Sequence, residues 1–350
     1  MKANFFPYQL QFQKPSGTSR GILTHKKIWI IKLWNEENPN IVGLGECNPL
    51  VGLSIDDRPD FEEKLREFCK AVNSAGATTA ELEGTILNFP SIRFAFESAL
   101  KDLETGGKRI LFDNPFSRGE QGIRINGLVW MDDAQSMKKS IAQKITQGYT
   151  CIKLKIGAID FEQELALIKE IRRNFSASEI EIRVDANGAF TAKEVASKLD
   201  KLAALKLHSI EQPIRQGQAT VMAKLCKNTP LPIALDEELI MHTSRTEKAQ
   251  LLQFIQPQYI ILKPSLIGGW KASQEWINIA EQQNTGWWIT SALESNIGLN
   301  AIAQWTYELK STMPQGLGTG QLYTNNFESP MEIKGEQLIF NANKKWHIAL

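Results

Sequence analysis

The fold class predicted by this chain is α/β, a closed parallel barrel carrying a smaller α+β cap, and three observations predict it. From about residue 123 onward, short β-type runs and amphipathic helical patterns alternate strictly, the grammar of a parallel sheet. Three consecutive runs in that stretch end in a carboxylate, at Asp185, Glu211 and Asp236, spaced 26 and 25 residues apart. That spacing is close to the roughly 30 residues of one strand-plus-helix unit in an eight-unit barrel. Finally, at 350 residues the chain exceeds the size at which single cores stop growing, so a second unit is expected.

Taken in order, residues 4 to 47 read as strands: FFPYQLQF, ILTHKKIWIIKLW and NIVGLGECNP, separated by the turn clusters KPSGTSRG and NEENPN. No helix separates these runs, which implies an antiparallel meander outside the barrel. Helical periodicity follows from Asp56, with apolar Phe61, Leu65 and Phe68 on one stripe, then near Thr79 to Leu87 and from Pro90 to Glu104. Beyond the turn-rich DNPFSRGEQG the alternation begins. Strands are expected in IRINGLVW, YTCIKLKIG, EIRVD, HSIEQP, IALDEE, YIILKP and WWITS. Helices are expected after each, among them Phe161 to Asn174, Thr191 to Leu205 and Ile297 to Tyr307. The strand-like EIKGEQLIF and KKWHIAL are expected to return to the cap. The expected organisation is therefore a cap over residues 1–120, a barrel over 121–325 and a returning segment over 326–350.

Composition narrows the function. A hydrophobic share of 42%, a charged share of 23% and a net charge of +1 without basic or acidic blocks give no electrostatic footprint for nucleic acid or an anionic membrane. A small-molecule partner is expected, and oligomeric state is not legible. Four cysteines without C-x-x-C spacing read as reduced, buried residues. With no leader pattern and no apolar run near the roughly 18 residues needed to span a bilayer, a cytoplasmic location is expected.

In a parallel barrel, residues at the carboxyl ends of neighbouring strands lie roughly 4.8 Å apart, near enough to close on one cation. Three oxygen ligands without His or Cys favour Mg²⁺, with Mn²⁺ possible, over zinc. A single acid at such a position reads equally as a helix cap. Recurrence at the barrel period is what makes three of them a site. Lys153 and Lys155 share one strand face, and Lys263 ends the sixth barrel strand. Lys155 and Lys263 then stand on opposite walls, the layout needed to take a proton from carbon next to a carboxylate. In that scheme the cation stabilises the enediolate and lysine, its pKa lowered by the cation, is the base. Expected substrate contacts are Lys153, Arg20 in the cap, Asn187 just past Asp185, and Ser291 and Glu294 in SALESNIG. Amides at the helix start near Ile297 suit an anionic group, although capping by Ser295 or Asn296 uses them as well. The GLGTG at Gly316 to Gly320 lacks the lysine of a phosphate loop.

The K-x-K at Lys153 and Lys155, the acids in RVDANGAF, IEQP and ALDEE, and the lysine in ILKPS together resemble the enolase superfamily, in its muconate-lactonising subgroup. The resemblance covers nearly the whole chain. It implies a (β/α)7β TIM-like barrel with an N-terminal α+β capping domain completed by the C-terminal segment. It also implies Mg²⁺ on Asp185, Glu211 and Asp236, Lys155 as general base and Lys263 opposite. Within the subgroup, TSRG, PSIRFAFESAL, SALESNIGL and GLGTG look most like the o-succinylbenzoate synthases, lyases that dehydrate a hydroxycyclohexadiene carboxylate for menaquinone. In that family one lysine takes the proton and later protonates the departing hydroxyl, while the other stabilises the anion. Dipeptide epimerases, N-acylamino acid racemases and muconate cycloisomerases share the five motifs. Epimerases carry an Asp-x-Asp near the last barrel strand where GLGTG here has no acid. A barrel that merely binds a ligand would have no reason to keep five buried polar strand ends.

Overall fold

The structure is a computed structural model that describes residues 1–18, 21–74 and 78–349. Arg20, expected to reach substrate, lies outside the described residues. The first strands, β1 (Lys2–Thr18), β2 (Gly21–Asn35) and β3 (Asn38–Cys47), form an antiparallel sheet in the order β1-β2-β3. Helices α1 (Phe61–Asn73), α2 (Thr79–Thr85) and α3 (Pro90–Glu104) follow. Apolar residues on one sheet face, Trp29, Ile31 and Leu33, pack with Phe61, Leu65, Phe68 and Phe96 of the helices to form the cap core. Two glycines set how closely α3 approaches β3. A Cβ at Gly43 would stand 1.9 Å from the Ala99 carbonyl oxygen, and one at Gly45 would stand 1.8 Å from that of Ala95. Only a residue without Cβ lets the helix lie that near the strand.

The chain then enters the barrel with β4 (Ile123–Arg124), β5 (Gly127–Val129), α4 (Ala134–Thr146), β6 (Cys151–Lys155) and α5 (Phe161–Asn174). It continues through β7 (Glu181–Asp185), α6 (Val195–Ala203), β8 (Ser209–Glu211), α7 (Ala219–Asn228), β9 (Ile233–Leu235) and α8 (Arg245–Ile255). The last units are β10 (Tyr259–Leu262), α9 (Pro264–Ile267), α10 (Gly269–Gln282), β11 (Gly286–Ile289) and α11 (Asn296–Glu308). Strands β5 to β11 pair in sequence order in one parallel seven-stranded sheet. The eighth stave is two residues long: Gln315 bridges to Ile125 and Gly316 to Thr290, both parallel. The GLGTG segment therefore closes the ring, and Gly316 is required there, because a Cβ would fall 2.0 Å from Thr290 Oγ1.

Alternation along each strand sorts the side chains. Ile152, Leu154, Ile182, Val184, Ile210 and Leu262 join the core shared with the outer helices. Lys153, Lys155, Asp185 and Glu211, on the opposite faces of their strands, point into the ring. Helix α6 is shorter than the expected 191–205: residues 192–194 form a turn that leads into it, with Thr191 N donating to Glu194 Oε1 at 2.9 Å. The returning segment splits. The hairpin of β12 (Met331–Lys334) and β13 (Gln337–Phe340) pairs with β4 at the start of the barrel rather than with the cap sheet. Residues on either side of it reach the cap, where Tyr323, Phe327, Trp346 and Ile348 pack with Leu10, Phe12 and Ile30. Among the described residues no helix is long and apolar enough to cross a membrane.

Candidate active site

At the carboxyl end of the barrel strands, a cavity is lined by Trp130, Lys153, Lys155, Asp185, Asn187 and Lys263, with Ser291 to Leu293 and Gly316 to Thr319 along one side. Leu50 and Leu53, from the loop after β3, cover it from the cap. Parallel register explains the convergence. Lys155 pairs with Asp185 and Asp185 with Glu211 on adjacent strands, while Asp236 follows β9 directly.

The charges are interleaved. Lys153 Nζ is 2.9 Å from Asp185 Oδ2 and hydrogen-bonded to Glu211 Oε2. Lys155 Nζ donates to Asp185 Oδ2 at 3.0 Å and to Asn187 Oδ1 at 2.6 Å. Lys263, separated from Lys155 by β7, β8 and β9, donates to Asp236 Oδ2. The three acids are 1–2% exposed. Burial opposes every one of these charges, and the neighbours decide the outcome. Lys153 and Lys155 outweigh burial at Asp185 and hold its carboxyl far below the usual range. Burial and the Asp185 carboxylate push Glu211 up to about 8, and burial raises Asp236 as well. Burial would lower Lys153 and Lys263, but the facing carboxylates keep both above the ordinary lysine range.

Three buried carboxylates without His or Cys are a hard-oxygen donor set. As they stand, among the described residues, no three His, Cys, Asp or Glu side chains surround one point as ligands. The ammonium groups of Lys153 and Lys263 stand against those oxygens instead. One acceptor is left over: Glu211 Oε1 is buried without a hydrogen bond, with Lys263 Nζ 3.9 Å away.

The other expected contacts divide. Asn187 lines the cavity in a left-handed conformation, φ 43°, its Nδ2 donating to Glu237 Oε1 at 2.9 Å. Ser291 lines it too, its hydroxyl 2.6 Å from that of Thr319. Glu294 does not: it is fully buried, accepting from Ser265 Oγ and from Ala292 N at 2.6 Å. The start of α11 is likewise closed to a substrate anion, because a protein carboxylate already holds it. Glu46 of β3 accepts from Ser295 N at 2.9 Å and Gly298 N at 3.0 Å, and Ser295 Oγ caps Ile297 N. Leu53 falls in the loop 52–54, which the sequence marks as a specificity loop, whereas Trp130, Leu50 and Asn126 in the cavity lining carry no such mark. Trp130 directly follows β5, whose Val129 pairs with Leu154, so it stands level with Lys155 and Asp185 and the same phase would find it. Its ring lies 5.6 Å from Lys155 Nζ. Asn126 Oδ1 is a second buried acceptor without a partner.

Known proteins resemble this chain over almost all of its length. The family described as enolase C-terminal domain-like matches residues 136–342. An o-succinylbenzoate synthase from Desulfotalea psychrophila is 45% identical, over 96% of this chain and 98% of its own. The chain belongs to the enolase superfamily. Among solved enolase-superfamily structures, MenC from Desulfotalea psychrophila superposes with a TM-score of 0.85 at 42% identity, covering 97% of this chain and 99% of that one. A dipeptide epimerase from Cytophaga hutchinsonii, complexed with Mg and D-Ala-L-Val, superposes with a TM-score of 0.81 at 20% identity, over 96% and 92% of the two chains, a likeness of fold.

Proposed function

We propose that this protein is a Mg²⁺-dependent lyase, an o-succinylbenzoate synthase. It would dehydrate 2-succinyl-6-hydroxy-2,4-cyclohexadiene-1-carboxylate to o-succinylbenzoate in menaquinone formation, in the cytoplasm. The observation that carries the reading is the 45% identity to an o-succinylbenzoate synthase across 96% of the chain. The geometry is compatible with it, since Lys155 and Lys263 on two facing walls line one cavity with Asp185, and Glu211 and Asp236 are buried against its lysines.

Asp185, Glu211 and Asp236 fit a divalent cation. They are buried hard-oxygen donors at the ends of three neighbouring strands, and Glu211 Oε1 is unpartnered. Mg²⁺ held there would supply positive charge beside the substrate carboxylate, making the adjacent C–H more acidic. Lys155 is positioned by Asp185 and Asn187 at the cavity wall. Its Nζ takes the proton from the ring carbon that bears the carboxylate, and the C–H electron pair moves toward the carboxylate. The same nitrogen then returns a proton to the departing hydroxyl. The C–O bond breaks, water leaves, and the ring becomes aromatic. Lys263, on the facing wall, opposes the developing negative charge with its ammonium. Leu50 and Leu53 exclude water from above. The closing stave offers Gly316, Gly318 and Thr319 and no carboxylate, so a cationic dipeptide would find no acidic partner there.

The test is incubation with the hydroxycyclohexadiene carboxylate, following the absorbance of the aromatic product. Steady turnover by the wild-type protein is expected, and its absence would reject the assignment.

A further inference from the structure

The loop 291–294, between β11 and α11, forms one wall of the cavity through Ser291, Ala292 and Leu293. Its shape is not one that its own residues favour. Leu293 has φ 65°, in the left-handed region that a bulky residue seldom adopts, so neighbours must hold it there.

The cap does the holding. Lys26, on β2, reaches across the junction and donates from Nζ to the carbonyls of Ala292 at 2.9 Å and Leu293 at 3.0 Å, and to Asn48 Oδ1. Asn48, one residue past β3, donates from Nδ2 to the same Ala292 carbonyl at 2.9 Å and to Ser265 Oγ at 3.4 Å. Tyr323 Oη donates to the Leu293 carbonyl at 2.7 Å, and Ala292 N donates to Glu294 Oε2 at 2.6 Å. Two carbonyls of the cavity wall thus each receive two donors, and one lysine serves both. Lys26 itself is buried, at 7% exposure, and does not line the cavity. The carboxylates that face it are Glu294 and Glu46, and burial pushes its ammonium down to about 8. A buried lysine is costly where an apolar side chain of similar length would pack, so its presence calls for a role that depends on its three donors.

We propose that Lys26 is a positioning residue for the reaction: by pinning the Ala292 and Leu293 carbonyls to the cap, it sets the cavity wall that the substrate meets. The inference rests on the function proposed above. Substrate affinity then depends on the cap strand, although Lys26 touches neither the substrate nor the reacting lysines.

Steady-state kinetics on the hydroxycyclohexadiene carboxylate, beside thermal unfolding, test it with Lys26→Met, Asn48→Ala and the control Lys27→Met. Lys27 is half-exposed and paired with Glu62. A misplaced wall weakens ground state and transition state alike, so KM should rise with kcat spared. KM in Lys26→Met is expected to rise about tenfold or more with kcat within about threefold, and several-fold in Asn48→Ala. Lys27→Met should leave both within about twofold. A lower Tm with unchanged KM would mean a merely structural lysine and would overturn the proposal, as would a fall in kcat alone. Should Lys26→Met not fold, an unchanged KM in Asn48→Ala overturns it equally. Should the wild type not turn over this substrate, the proposed function falls by itself. A crystal structure of Lys26→Met, or of Asn48→Ala if the former does not fold, then decides: displaced 292 and 293 carbonyls support the inference, and an unmoved loop rejects it.

Discussion

The barrel mouth and the cap junction both bury lysines among carboxylates, and they differ in what is left over. At the mouth, Lys153, Lys155 and Lys263 pair directly with Asp185, Glu211 and Asp236, the lysines and Asp185 line a cavity, and Glu211 Oε1 has no hydrogen bond. At the junction, Lys26 meets Glu46 and Glu294, and backbone groups of the 292–298 region take up the hydrogen bonds. The first cluster keeps capacity for a ligand. The second spends its capacity on geometry. Burial and charge alone do not separate a reactive cluster from a structural one, whereas unsatisfied acceptors beside a cavity do.

The two clusters should differ most at Lys155. Replacing it with Ala should lower kcat on the order of 10²–10⁴-fold or more while Tm moves by no more than a few degrees, because the mouth serves chemistry rather than the fold. Substantial residual turnover in single-turnover assays would remove Lys155 from its role. At the junction the balance should invert. Glu46→Ala strands Ser295 N and Gly298 N without their acceptor and leaves Lys26 with less negative charge. The expected cost is about 3–5 kcal/mol of unfolding free energy, read from denaturant titration. A loss below about 1 kcal/mol would mean the junction is not the stabilising cluster.

Metal should act at the mouth alone. Mg²⁺ at a hundred times its Kd is expected to add about 2.7 kcal/mol to wild-type stability by mass action. Glu211→Gln should abolish most of that gain, while Glu46→Gln should keep it. An equal gain in both variants, measured by thermal shift, would place the ion elsewhere.

The shallowest expected readout, spread over more than two pH units, is a pH slope at the junction. Burial pushes Glu46 up to about 7 from its ordinary 4.5. The native state therefore holds that proton more tightly than the unfolded chain between the two values. Unfolding free energy should fall as pH rises through that window, by up to about 1.4 kcal/mol per pH unit. Glu46→Gln should flatten the slope between pH 4.5 and 7. An unchanged slope would assign it to another buried acid, such as Glu97, which burial also raises to about 7.

The same contrast explains what could be read from the chain. The mouth was legible because its groups follow local rules. Strand alternation puts Lys153 and Lys155 on one face, and the repeat of the barrel puts Asp185 level with Glu211 and places Asp236 at the end of the next strand, two residues past the Ala234 that pairs with Glu211. The junction was not, because its contacts join residues far apart in sequence: Lys26 to Ala292, and Glu46 to Ser295. Local pattern marks the start of α11 as an anion site, and only the folded chain shows that Glu46 is the anion. Glu294 reads as a substrate contact for the same reason, since nothing beside it in sequence reveals Ser265. The eighth stave was hidden differently. Two residues are too short for a periodic signal, so only the family resemblance sets GLGTG beside the last barrel strand, and the pairing of Gln315 with Ile125 and of Gly316 with Thr290 emerges in the folded chain. Helix bounds were legible where a cap signals them, as at Phe161–Asn174 with Asp160 accepting from Glu162 N and Gln163 N.

The function proposed for the barrel mouth is a Mg²⁺-dependent dehydration by three acids and two facing lysines. Its most direct test is wild-type turnover of the hydroxycyclohexadiene carboxylate before chelation, after chelation and after Mg²⁺ is restored. Aromatic product is expected to disappear with chelator and return with Mg²⁺. Undiminished product after complete metal removal, or none under any condition, would contradict it.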